Sequence, residues 1–371
     1  MVDNQSRAFG APFRYIQGPG EFENLELYSR DYGGRVFILI DSFLYDEMQK
    51  RFTEIFAVSS STLFTEKFGG ECSEAEVARV SGLARANQAE VIVGVGGGKT
   101  LDTAKIVANN LGLIQIIVPT SASTDAPTSS MSVLYKDSGE HLRSICHRRG
   151  PDLVLVDSQI IAKAPLRLFI AGIGDGLSTW FEARANARSD TANYIGRGYR
   201  RCKAGMAVAR MCYDVLLEDG FAARLALESG ALTEAVENVI EANILLSGLG
   251  FENTGCAGAH SLHTGFHEIP AANSMYHGEI VAFGVIFQLV LENADKDELI
   301  QVLNFLQKIG LPTTLRQLKV EPTPENIRTI TRRVVDGNSG VEAEPFLITE
   351  DSVYNAILAA DAIGRYYAPN D

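Results

Sequence analysis

Glu90–Lys105, EVIVGVGGGKTLDTAK, is the stretch whose reading decides the fold. Its opening residues, Glu90–Val95, are a short apolar, β-branched run and read as a buried strand. Gly96-Gly97-Gly98 follows, and then a helix from about Lys99 to Asn110. A strand that turns through glycines straight into a helix is the repeating unit of a parallel sheet. The loop is also a physical anion site, because glycines let the backbone approach closely and the first N–H groups of a helix attract phosphate. A plain tight turn uses the same residues, so both readings stay open here. The letters fit neither familiar phosphate pattern: GxxxxGK needs a glycine where Val93 stands, and GxGxxG one where Lys99 stands.

Outward from this unit, strand and helix signals alternate. Arg35–Phe43, Leu113–Val118 and Leu153–Asp157 read as buried strands, and Ser61–Thr65 as a weaker one. Ser73-Glu74-Ala75-Glu76 is a capping box that opens a helix to about Asn87. After about residue 160 strand signals fade. Leu177–Arg188, Gly205–Leu217, Leu232–Leu249, Gly278–Glu292, Glu298–Ile309 and Ser352–Tyr367 read as helices. The expected fold class is an α/β N-terminal domain with a mostly parallel sheet, residues 1–160, plus an all-α C-terminal domain, residues 161–371.

The totals narrow the function. With a length of 371 residues, two domains are the natural prior. A net charge of −13 argues against nucleic acid and anionic membranes, which need a clustered positive face. The one basic cluster, His147-Arg148-Arg149, reads as a solvated loop. The five cysteines form no CxxC pair, which fits reduced thiols in the cytoplasm. MVDNQSRAFGAPF holds no apolar signal region, and no apolar run is long enough to span a bilayer.

Four of the six histidines, His260, His263, His267 and His277, fall within AHSLHTGFHEIPAANSMYHGE. Such clustering suggests a metal. His260 and His263 share a helix face, and His277 opens the next helix beyond Pro270. A third ligand is needed, and Asp175 in GIGDGLSTWFEA is the candidate, although the commonest use of an Asp just ahead of a helix is as its N-cap. Asp41, at the end of a parallel strand, is placed either to accept ribose hydroxyls or to cap the following helix. Trp180 and Phe181 read as packing residues.

Together, GGGKTLDTAK, GIGDGLSTWFEA and GFENTG…AHSLHTG…HGEIVAFG resemble the glycerol dehydrogenases of the iron-containing alcohol dehydrogenase and dehydroquinate-synthase-like superfamily. The resemblance covers nearly the whole chain and implies a dehydroquinate-synthase-like fold with the active site in the cleft between two domains. It also implies Asp175, His260 and His277 as ligands of a divalent metal, zinc before iron. Gly96, Gly97, Gly98, Lys99 and Asp102 are implied as the pyrophosphate stretch, and Asp41 as the adenosine-ribose contact that favours NAD over NADP. Thr120 and Ser123 would meet the cofactor, and Ser129, Met131, Val133 and Tyr135 would line the nicotinamide pocket. Asp125 and Phe251 are the implied substrate contacts, with Asp125, His260 and His277 in the catalytic set. The family points to a homo-oligomer, often an octamer.

The implied reaction is metal-assisted oxidation of glycerol and related vicinal diols to the ketone, with hydride passing to NAD. A sister group with nearly the same motifs reduces 2-oxo acids or aldehydes, often with NADPH. A phosphorylated substrate is disfavoured because Gly250–Gly284 contains no Lys or Arg. A non-catalytic binding protein is disfavoured by the intact Asp175, His260 and His277. Cys256 and Gly258 stand where aliphatic residues are expected, and His267-Glu268 also departs from the family pattern, which bears on substrate preference. His263 reads as a supporting or packing residue, or alternatively as a proton carrier.

Overall fold

The computed structural model describes residues 5–337 and 339–367. The chain divides into two compact units, Gly10–Ala164 and a second made of residues up to Phe9 with Pro165 onward. The division falls four residues beyond the expected 160, after a short helix that stays with the sheet. The first residues cross to the helical unit through main-chain bonds from Ala8 N to Arg200 O (3.2 Å) and from Arg200 N to Ser6 O (2.9 Å).

In the α/β unit the elements are β1 (Tyr15–Gly18), α1 (Leu25–Arg30), β2 (Arg35–Ile40), α2 (Tyr45–Phe56), β3 (Thr62–Lys67), α3 (Glu74–Ala86), β4 (Val91–Gly96), α4 (Gly98–Leu111), β5 (Ile114–Pro119), β6 (Met131–Tyr135), β7 (His141–Cys146), β8 (Leu153–Asp157) and α5 (Ser158–Lys163). Six strands form one parallel sheet in the order β1-β8-β5-β4-β2-β3. The central strands β2, β4, β5 and β8 are apolar and almost wholly buried, as helices on both faces of a parallel sheet require. One core cluster joins alternate residues of these strands to Phe22, Met48, Phe52 and Phe56.

The expected strands are all present within a few residues, and three features differ. β1 and the antiparallel β6–β7 hairpin carried no clear apolar signal; β7 in particular is nearly all exposed. Ser73 caps α3 by accepting from Glu76 N (3.4 Å), but the return half of the capping box is absent. Glu76 instead accepts from Gly69 N (2.8 Å) and pairs with Arg79.

The helical unit comprises α6 (Leu166–Ser189), α7 (Lys203–Glu228), α8 (Glu234–Glu241), α9 (Ser247–Thr254), α10 (Gly258–Phe266), α11 (His277–Leu291), α12 (Lys296–Ile309), α13 (Pro324–Val334) and α14 (Glu350–Tyr367). Where one helix over Leu232–Leu249 was expected, a π-helical turn at Ala242–Leu246 separates α8 from α9. Among the described residues no helix is long and apolar enough to cross a membrane. α6 starts eleven residues before the expected Leu177, because its glycines read as breakers yet sit inside the helix. Packing explains them. A Cβ at Gly174 would lie 2.2 Å from Gly278 O, and one at Gly278 would lie 1.8 Å from Ala171 O. The backbones of α6 and α11 therefore touch, and helical propensity is overridden by this contact.

Gly278→Ala forces that contact apart. Overpacking of this kind costs about 1–3 kcal/mol, and at about 2–4 °C per kcal/mol the thermal midpoint should fall measurably. An unchanged midpoint would show that the two helices can separate freely.

Candidate metal and cofactor sites

The helix contact sets the first site. Asp175 follows Gly174 in the interior of α6, and His277 precedes Gly278 at the start of α11. Asp175 is therefore not an N-cap: the helix has run for nine residues before it. Its Oδ1 lies 3.2 Å from His277 Nε2 and 3.4 Å from His260 Nε2, and the two Nε2 atoms are 3.3 Å apart. One carboxylate and two imidazoles thus converge on one point. Asp175 is 1% exposed, and neither of its oxygens makes a hydrogen bond among the described residues. Burial alone would raise its pKa; the His277 and His260 rings outweigh burial and hold the carboxyl well below the usual range.

The rings are oriented from behind. His260 Nδ1 meets Glu182 Oε2 at 2.7 Å, which fixes Nδ1–H and turns the Nε2 lone pair toward Asp175. Burial pushes the His260 ring down, but Cys256, Glu182 and Asp175 raise it well above an ordinary histidine. The surroundings demand positive charge at this point. A divalent cation meets that demand with an oxygen–nitrogen donor set suited to zinc or iron, so these residues fit the group the resemblance implies. His277 Nδ1 faces His263 Nε2 at 3.1 Å, and the exposed His267 meets His263 edge to face.

Around this point the remaining expected residues take plain positions. Phe251 lies on α9, half-buried, its ring edge-on to Tyr194 at 6.4 Å. Trp180 lies under Arg210, and the buried Phe181 packs edge-on to Tyr213, as expected of packing residues. Gly258 has a steric reason to be glycine: a Cβ would sit 2.8 Å from Glu344 Oε1, which accepts from Gly258 N at 3.0 Å.

The second site lies in the α/β unit at the β4–α4 turn. Gly96 has φ +151°, and a Cβ there would lie 2.7 Å from Asp41 Cβ. A Cβ on Gly97 would meet no described atom within 4 Å, so the chain leaves open space over the start of α4. No side chain caps that helix, and its first turn carries no acid. An uncapped N-terminus beneath open space fits a dinucleotide pyrophosphate. Lys99 pairs with Glu71 (2.6 Å) and stacks over Tyr135, which leaves main-chain N–H groups as what the loop itself offers. Asp41 does not cap α2; its Oδ1 accepts from Phe43 N and its Oδ2 from Thr100 Oγ1.

Downstream, Thr120 N bonds to Gly96 O (3.2 Å), and Ser123 Oγ bonds to Ser121 Oγ (3.1 Å). β6 alternates half-buried Met131, Val133 and Tyr135 with buried Ser132 and Leu134, so the first three share one face. Ser129 is buried in the turn before β6. Asp125 lies half-buried in the same segment. Asp102 is buried, and its carboxylate accepts from Val133 N at 2.9 Å. Burial pushes its carboxyl up, opposed by Lys105 and by that N–H.

Comparison with known proteins identifies the family. The family profile of iron-containing alcohol dehydrogenases matches residues 12–158. The chain is 40% identical to a glycerol dehydrogenase of Citrobacter freundii over 360 residues, 96% of this chain and 98% of that one. A glycerol dehydrogenase of Escherichia coli O6:H1 is 43% identical, covering 97% of this chain and 98% of its own. This chain belongs to the iron-containing alcohol dehydrogenase family. The crystal structure of a probable glycerol dehydrogenase from Sinorhizobium meliloti 1021 superposes with a TM-score of 0.92 at 46% identity, covering 97% of this chain and all of that one.

Within this iron-containing alcohol dehydrogenase, two acids went unnoticed in the sequence. Glu182 is fully buried and serves four groups: His260 Nδ1, His260 N (2.9 Å), Ala257 N (2.8 Å) and Ser178 Oγ (3.4 Å). Glu344 is pushed up to about 8 by burial and by Glu292 and Glu182. Each has a consequence.

Glu182→Gln keeps an acceptor for the main chain but weakens the hold on Nδ1–H. Zinc retention under a competing chelator should drop about 10–100-fold, with little change in helical circular dichroism; undiminished retention would remove Glu182 from this role. For Glu344, the folded chain keeps its proton up to about pH 8, whereas the unfolded chain releases it near 4.5. Folding stability contributed here is thus complete at low pH and declines as pH rises through that window. The thermal midpoint of Glu344→Gln relative to the parent should climb between about pH 5 and about pH 8. A constant difference would show that Glu344 titrates normally.

Proposed function

We infer that the protein is an NAD-dependent glycerol dehydrogenase that oxidises glycerol and related vicinal diols to the ketone, dihydroxyacetone in the case of glycerol. One observation carries the reading: in a chain matched over its full length by glycerol dehydrogenases, Asp175, His260 and His277 bring three donor atoms within 4.8 Å of one another.

A divalent cation held by these residues, zinc by our proposal, supplies Lewis-acid polarisation of a substrate oxygen, and bound NAD supplies the hydride acceptor. The chain's own residues do the rest. Asp175 brings a buried negative charge that faces the Nε2 atoms of His260 and His277. Glu182 holds His260 in the tautomer whose Nε2 can donate a lone pair, and His263 faces the far nitrogen of His277. We assign Asp125 and Phe251 to the substrate, the carboxylate accepting from a hydroxyl and the ring bounding the carbon chain. The alcohol proton passes to solvent, and no side chain has to act as nucleophile.

On the cofactor side, the glycine turn receives the pyrophosphate, Asp41 accepts from the adenosine ribose, and its charge disfavours a 2′-phosphate. Thr120, Ser123 and Ser129 are proposed to contact the dinucleotide, and Met131, Val133 and Tyr135 to line the nicotinamide. We further propose a homo-oligomer, a reading supported by large exposed apolar side chains such as Phe13 and Leu347.

Glycerol and 1,2-propanediol should reduce NAD, with little NADP reduction, and 2-hydroxybutyrate should be a poor substrate. Chelation should abolish activity and added zinc should restore it. His277→Ala should lower kcat/KM by more than about a hundredfold, beyond the usual loss from a supporting residue, while leaving the fold intact. Turnover confined to NADPH and 2-oxo acids would reject the reading.

A further inference from the structure

α4 carries two buried charges one turn apart. Lys105 is 1% exposed, and its Nζ donates to Met131 O at 2.9 Å and to Ala126 O. The same atom lies 3.6 Å from Asp102 Oδ1. Asp102 Oδ2 in turn accepts from Val133 N at 2.9 Å, and its main-chain oxygen accepts from Ser132 Oγ at 3.4 Å. The two side chains therefore grip the main chain at Ala126, Met131 and Val133, on both sides of the turn that enters β6.

Burying an ion pair is a poor way to stabilise a helix, because desolvation offsets most of the attraction. On the same buried stretch α4 carries Leu101, Ala104 and Ala108, which pack without that cost. What the pair adds is geometric. Its grip runs from the helix whose N-terminus lies under open space at Gly97 to the strand that presents Met131, Val133 and Tyr135. β6 lies outside the large sheet, in a hairpin with β7 whose Tyr135 also bridges to Ser73, so that sheet does not set its position.

We propose that Lys105 and Asp102 are positioning residues for the nicotinamide: they lock the segment Ala126–Val133 to the phosphate-facing helix, so that one dinucleotide spans two surfaces at a fixed separation. This rests on the NAD reading above. It assigns Asp102 an indirect part in cofactor binding, through Val133, in place of direct contact.

ADP-ribose, which has the pyrophosphate and both riboses but no nicotinamide ring, separates the two ends of the cofactor. Binding of NAD and of ADP-ribose is measured by calorimetry for the parent, Lys105→Met, and the double variant Asp102→Asn/Lys105→Met, which leaves no unpaired buried charge. In both variants ADP-ribose affinity should stay within about twofold of the parent, while NAD affinity falls about tenfold and kcat with glycerol about 10–100-fold. Amide exchange at Met131 and Val133 should quicken. Parallel loss of both ligands, or unchanged NAD affinity and kcat, overturns the proposal; should the single variant fail to fold, the double variant decides. If the parent binds neither ligand, the dinucleotide reading falls, a result distinct from failure of the positioning role.

Discussion

The contact on which the helical unit depends is backbone against backbone. Gly174 and Gly278 let α6 and α11 meet with carbonyl oxygens where side chains would otherwise stand. The neighbours of those glycines in sequence are Asp175 and His277, and the close approach is what puts Oδ1 3.2 Å from Nε2. An alanine at either place would move an acid away from an imidazole. The chemistry of the site is thus set by an absence of volume, and the apolar residues of α11, buried along most of its length, hold the contact closed.

Electrostatics then works in layers. Asp175 is an anion inside the protein whose Oδ1 faces His277 Nε2 at 3.2 Å and His260 Nε2 at 3.4 Å, and its burial is costly unless a cation balances it. Behind the histidines, Glu182 supplies a second anion that shares its oxygens among three N–H groups. Farther back, Glu344 carries a raised pKa, so it adds hydrogen bonding without adding full charge at neutral pH.

Much of this was legible in the sequence, and unevenly so. The sheet was readable because its central strands are short β-branched runs buried on both faces, with nothing polar to interrupt the signal. The histidine pair stood out because histidine is scarce and clustered here. The start of α6 was not readable: Gly172, Gly174 and Gly176 argue against helix locally, and only packing neighbours, Gly278 for Gly174 and Leu216 and Cys212 for Gly176, explain two of them. That error concealed Glu182, which stands seven residues after Asp175 and so on the same helix face. Had the helix been extended back to Leu166, the i, i+7 pair of acids would have marked it. The β6–β7 hairpin stayed hidden because one of its strands is solvated along nearly its whole length. Lys105 was lost for the opposite reason, since a lysine in a helix reads as surface until its burial is seen.

Gly258 and Glu344 are 86 residues apart and occupy each other's space, since one lacks the Cβ that the other's oxygen displaces. Neither residue can mutate alone without leaving either a clash or an unanswered N–H at the head of α10. A change at 258 is therefore felt far along the chain, at the carboxylate of Glu344.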